Sequence, residues 1–144
     1  MAGPPAAAMA RGFSKGSLEK NPLLGQWLSL AEPGVVQVRM GKVEFGQGIG
    51  TALAQIVAEE LDLDLSRITL APVSTGLSPD EGVTSGSLSV QHSGDALRLV
   101  CASLRELAVA RFCARHGLQP AAVHIHDGRL QAADGAAEQR IAGA

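Results

Sequence analysis

The chain has 144 residues, the size of one domain, with 46% hydrophobic and 18% charged residues, a globular composition rather than a disordered one. Twelve Lys and Arg stand against fourteen Asp and Glu, a formal charge of −2, which leaves no basic field for nucleic acid or anionic lipid. Aromatic residues are 3%, with no Tyr, which argues against base-stacking or sugar-stacking surfaces.

Residues 1–16 are mostly Ala, Gly and Pro with Arg11 and Lys15, and predict a flexible arm without the apolar core of a secretory signal. Residues 26–30 alternate around Trp27, Leu28 and Leu30 and predict a strand. Ala31-Glu32-Pro33-Gly34 is a turn, with Pro fixing φ and Gly supplying a positive φ. Residues 35–40 set Gln37 and Arg39 between valines and predict a second strand, paired with the first as a hairpin. Gly46-Gln47-Gly48-Ile49-Gly50 then leads into a helix from about Thr51 to Leu61, whose apolar face is Ile49, Leu53, Ile56, Val57 and Leu61. Ile68-Thr69-Leu70 is a short strand stopped by Pro72, and residues 73–86 are a long irregular stretch of the kind that is often functional.

The strongest periodicity predicts a helix over residues 90–116, with a stripe of Leu97, Val100, Cys101, Leu104, Leu107, Ala108 and Phe112. Gly117 suits the position just past its end, and Pro120 blocks continuation. Residues 123–126 form a strand, Asp127-Gly128 a tight turn, and residues 129–131 the returning strand. Residues 132–144 are rich in Ala and Gly and predict a flexible tail or cut linker. The order β-β-α-β-α-β over residues 17–131, with one extra strand possible, predicts an α+β fold, a two-layer sandwich with a mixed sheet and both helices on one face.

Two cysteines exclude a disulfide scaffold and a four-cysteine zinc site. Cys101 and Cys113 sit on one predicted helix, roughly 18 Å apart, too far to pair. Free thiols fit a reducing compartment, and no apolar run reaches the ~18 residues of a membrane span, so the expected location is the cytoplasm. His124 and His126 share one face of a strand but have no third ligand at metal spacing, and read as solvated edge residues. Asp62 and Asp64 read as cap and turn residues rather than an acid–base pair.

Two segments can carry chemistry: Gly46-Gln47-Gly48-Ile49-Gly50 before one helix and Thr84-Ser85-Gly86-Ser87-Leu88-Ser89 before the other. Helix starts offer N–H groups and a positive dipole end to anions, and glycine lets a ligand approach the backbone. Two such loops could hold different parts of one phosphorylated cofactor. The residues alone leave ordinary glycine turns with Ser caps open. The nicotinamide-dinucleotide pattern lacks its third glycine, and the phosphate-loop Gly-Lys-Ser/Thr is absent.

The segment Gly41-Lys42-Val43-Glu44-Phe45-Gly46-Gln47-Gly48-Ile49-Gly50-Thr51 resembles the Gly-Gln-Gly region of the molybdopterin hydroxylases, the xanthine dehydrogenase/aldehyde oxidase family. Ala58-Glu59-Glu60-Leu61-Asp62-Leu63, Asp80-Glu81-Gly82-Val83-Thr84-Ser85-Gly86-Ser87 and Ser93-Gly94-Asp95-Ala96 match in the same order. Ser17-Leu18-Glu19-Lys20-Asn21-Pro22 is similar to the stretch that opens the large subunits of isoquinoline 1-oxidoreductase and nicotinate dehydrogenase. The resemblance implies a molybdenum–pyranopterin cofactor, in the mononucleotide or the cytosine dinucleotide form, shared with a partner chain. It implies that Phe45, Gly46, Gln47 and Gly48 lie near the metal and the pterin phosphate, and that Gly86, Ser87 and Ser89 touch the pterin or its phosphate. Phe45 stands where Met or Leu is commoner.

Other family parts have no counterpart in the sequence: the Phe-Gly-Gly loop, the hammerhead domain and the catalytic glutamate. The resemblance therefore implies partners that supply the rest of the molybdenum subunit, and a separate iron–sulfur subunit. It implies oxidation of an aldehyde or N-heteroaromatic C–H with water-derived oxygen, and no activity for the chain alone, whether a fragment, a small subunit or a relic. The alternative is a non-catalytic protein-binding or assembly module that keeps the fold.

Overall fold

A computed structural model describes residues 23–30, 32–40, 48–72 and 86–142, with the side chains of 86–92 excepted. The predicted arm, residues 41–47 and the irregular stretch over 73–85 lie outside the described residues. The described elements are α1 (Leu24–Trp27), β1 (Leu28–Ser29), β2 (Val36–Val38), α2 (Ile49–Leu61), β3 (Ile68–Leu70), α3 (Gly86–His116), β4 (Val123–His126), β5 (Arg129–Ala132) and β6 (Glu138–Arg140). Single 3-10 turns, Leu65–Arg67 and Pro120–Ala122, lead into β3 and β4.

The α+β class holds, and the β-β-α-β-α-β order is kept with α1 added before it and β5 and β6 after it, but the strands form two sheets rather than one. In the order β1-β2-β3, β1 is antiparallel and β3 parallel to β2, so this sheet is mixed. The second sheet, β4-β5-β6, is antiparallel. Local patterning identifies β3 and β4 separately, whereas pairing between them would need a long-range signal that three- and four-residue strands do not carry.

The hairpin turn is as expected: Gly34 has φ +77°, and the Val35 N–H donates to the Glu32 carbonyl at 3.2 Å, with Pro33 and Gly34 between. The strand predicted over residues 26–30 begins instead as one helical turn. Gln26 reaches back so that its Oε1 accepts the Leu23 N–H at 2.9 Å, and this local capping wins over alternation. The tail predicted from residue 132 is replaced over its middle by β6, which pairs Arg140 with Arg129 and Glu138 with Gln131. Its Glu-Gln-Arg sequence has no apolar alternation, so only pairing reveals it.

Two hydrophobic clusters result. The first joins Trp27, Val36 and Val38 to Leu53, Val57 and Leu61 of α2 and to Leu97, Leu99 and Cys101 of α3. The second packs Phe112 at the far end of α3 against Leu130, Ala132 and Ile141. Leu104 of α3 touches both. The end of the chain joins them again: Ile141 belongs to the second cluster and Ala142 to the first, and the Gly34 N–H donates to the Ala142 carbonyl at 2.7 Å.

Candidate functional site at the paired helix starts

Helix α2 begins at Ile49, two residues earlier than predicted, with Gly48 as its N-cap at φ +69° and ψ 21°. That left-handed backbone favours glycine. The first turn of α2 has no acidic residue, and among the described residues no side chain caps this start and a Cβ added to Gly48 would meet nothing within 4 Å. The Ala52 N–H donates to the Gly48 carbonyl at 3.1 Å, closing the first turn. Helix α3 begins at Gly86, four residues before the predicted start, and its first turn also has no acidic residue.

The contacts between the two helices fix their relative direction. Gly94 of α3 faces Ile56 of α2, and Arg98 Nη1 donates to Glu60 Oε1 at 2.8 Å. A step of four residues on one helix matches a step of four on the other, so α2 and α3 run in the same direction. Gly48 and Gly86 each lie eight residues before the Ile56–Gly94 contact, so both starts fall at one end of the pair, about 12 Å from that contact. Two positive dipole ends at one end of the helix pair, with no carboxylate in either first turn, make an electrostatic setting that suits an anion.

Of the sequence-predicted site residues, Gly48 and Gly86 are thus brought to one end. Ser87 and Ser89 follow in the first turns of α3, and their side chains lie outside the described residues. Phe45, Gly46 and Gln47 also lie outside the described residues.

His124 and His126 are exposed on the same face of β4. Asp62 and Asp64 are the cap residues the sequence predicts. Asp62 ends α2 in a left-handed conformation, φ 52°, and its Oδ2 also accepts the Asp127 N–H at 2.7 Å. Asp64 Oδ1 accepts the Ser66 N–H at 2.8 Å, and hydrogen bonds from the Ser66 side chain and then this backbone N–H hold its carboxyl below the usual range. Both cysteines are free and buried, and burial pushes the Cys101 thiol far up. Among the described residues, no group of three or more His, Cys, Asp or Glu could hold a metal ion, and no helix is long and apolar enough to cross a membrane.

Sequence reasoning named Gly94 and Glu60 only within matching motifs and missed the Gly94–Ile56, Glu60–Arg98 and Asp62–Asp127 contacts. A glycine inside a strong helical pattern was the available signal for the first, since it costs helix stability unless another element needs the room.

Residues 6–143 match the model of a family described as the molybdopterin cofactor-binding domain. The chain belongs to this molybdopterin cofactor-binding domain family. A nicotinate dehydrogenase subunit of Pseudomonas putida is 33% identical over 132 residues, a match spanning 92% of this chain and 11% of that relative. A membrane-bound aldehyde dehydrogenase of Gluconacetobacter polyoxogenes, named for pyrroloquinoline quinone, is 39% identical over 83 residues, 58% of this chain and 11% of the relative. Quinoline 2-oxidoreductase from Pseudomonas putida 86 shares the fold at a TM-score of 0.67 and 22% identity, over 80% of this chain and 15% of that one. Xanthine dehydrogenases and aldehyde oxidases are among the relatives, so the resemblance drawn from the Gly-Gln-Gly segment holds for this molybdopterin domain. The chain spans about a tenth of the length of the first two relatives.

Proposed function

We propose that this chain supplies one cofactor-holding part of a molybdenum hydroxylase that oxidises an aldehyde or an N-heteroaromatic C–H bond, and that it does not turn over alone. The observation that carries the reading is the shared end of α2 and α3, where neither first turn carries an acidic residue, in a chain of the molybdopterin cofactor-binding domain family. The donor set fits a phosphate-bearing pterin: an αL glycine whose Cβ position meets nothing within 4 Å among the described residues, and two helix dipoles. Gly48 and Gly86 would let the pterin phosphate approach the backbone, with Ser87 and Ser89 as hydroxyl donors. Phe45 and Gly46 would contact the cofactor near the metal and the pterin phosphate, and the Gln47 amide would donate and accept beside the metal.

When bound, the cofactor supplies two-electron oxidation with oxygen from water, and this chain orients it. The remaining molybdenum-subunit segments, the catalytic glutamate and an iron–sulfur subunit would come from partner segments or chains. The small share of each relative that the chain covers supports this. The cofactor is either the mononucleotide or the cytosine dinucleotide form. Two buried free thiols support a reducing compartment, the cytoplasm.

The test is the chain co-expressed with those partner segments and assayed for metal, pterin and turnover. Molybdenum and pterin should co-purify. Gln47→Ala should slow turnover about a hundredfold while shifting stability by no more than about 0.5 kcal/mol. Complexes that form without molybdenum would favour the assembly-module reading, and pyrroloquinoline quinone in place of pterin would overturn the cofactor assignment.

A further inference from the structure

We propose that Gly94 and Ile56, with the Glu60–Arg98 ion pair one turn further on, are positioning residues that fix the axial register of α2 against α3. They thereby set the spacing of the two helix starts. The inference rests on the proposed function, which assigns the cofactor to those starts.

Gly94 is buried within the 31-residue helix α3, where glycine is unfavourable for the helix itself. A Cβ built on it would lie 3.0 Å from Ile56 Cδ1, closer than side-chain carbons approach without one of them moving. The glycine therefore allows the approach and marks its axial position. One turn on, Glu60 Oε1 accepts from Arg98 Nη1 at 2.8 Å, and the Glu60 backbone carbonyl accepts from Arg105 Nη1 at 3.2 Å. The Gly94–Ile56 approach, which a Cβ would tighten until the Ile56 side-chain end shifts by a few tenths of an ångström, and the partly exposed ion pair lie in phase, and a slip of one turn, about 5.4 Å, would break both. Helices are stiff over the roughly 12 Å from this contact to Gly48 and Gly86, so a displacement at the contact reaches both first turns.

The chemistry of the contact supplies its own reversal. Ile56→Val removes the Cδ1 atom that a new Cβ at position 94 would strike. The experiment compares the full wild-type chain with Gly94→Ala, Ile56→Val and the double variant. The probe is molybdopterin as its phosphate monoester, bound under anaerobic equilibrium dialysis, with thermal melts in parallel. Val123→Ala, in the second cluster, is the control for lost stability without a change at the contact.

Gly94→Ala should weaken probe binding about tenfold or more, and the double variant should return to within about threefold of Ile56→Val. Val123→Ala should lower the melting temperature and leave affinity within about twofold. Unchanged affinity in Gly94→Ala, a loss that Ile56→Val does not relieve, or a loss that merely follows melting temperature across all variants would each overturn the positioning role. A wild-type chain that binds no probe even when co-expressed with the partner segments would overturn the proposed function and this inference together, whereas binding indifferent to position 94 overturns only the inference.

Discussion

Gly128 shows how one residue can hold two elements together. It has φ +65°, and a Cβ placed there would fall 2.2 Å from Leu63 Cδ2. Its neighbour Asp127, at φ 48°, donates its N–H to the Asp62 carboxylate, so the β4–β5 turn docks on the end of α2. Backbone strain and overpacking both act against a side chain here, and Gly128→Ala should cost about 2–4 kcal/mol in a denaturant titration. Cys101 sets a second expectation. Burial raises its thiol pKa above the ordinary value of 9.0, so folding favours the protonated form. Its contribution is complete below the ordinary thiol range and lost as pH rises past about 9, where the unfolded chain ionises. Melting temperature followed from pH 7 to about 10 should fall on the alkaline side, and Cys101→Ala should flatten that fall.

Among the elements, α3 carries the architecture because it is long enough to serve both clusters. Leu104 stands where they meet, and Leu104→Ala should cost about 2–3 kcal/mol and lower the melting transition of both clusters in step, read by Trp27 fluorescence and by far-ultraviolet dichroism. Two separate transitions in the wild-type chain would show that Leu104 and the Ile141–Ala142 segment do not couple them. The same helix shows what was legible in the sequence. Its 3.6-residue stripe, its end at Gly117 with φ +66° and its basic last turn all follow from local rules. Leu99, outside the predicted stripe, is nonetheless buried, because the first half of α3 is packed on more than one side. β6 was illegible because Glu138, Gln139 and Arg140 have no burial pattern of their own. The pairing with β5, with Glu138 held below the usual carboxylate range by Arg129, is a tertiary event.

For the whole molecule, the sequence located the two loops, whereas the structure supplied their relation. Nothing in Gly48 or Gly86 states that two helix starts fall at one end. That follows from Ile56, Gly94, Glu60 and Arg98, residues that resemble ordinary helix surface until the helices are packed. The family supplies the ligand class and the packing supplies a place for its phosphate.

Position 48 offers the most direct measurement of that claim. Asn and Asp tolerate a left-handed backbone better than other side chains, and a Cβ there meets nothing within 4 Å among the described residues, so Gly48→Asn and Gly48→Asp should both fold. The two side chains are matched in size and differ in charge. An acid at a helix start should raise stability over Asn by about 0.3–1 kcal/mol, while it repels an anion seated at the same place. Anaerobic binding of molybdopterin phosphate monoester to the two variants should therefore run opposite to their melting temperatures, with Asp binding about tenfold or more weakly than Asn. Equal affinity for the two would contradict an anion site at the shared end of α2 and α3.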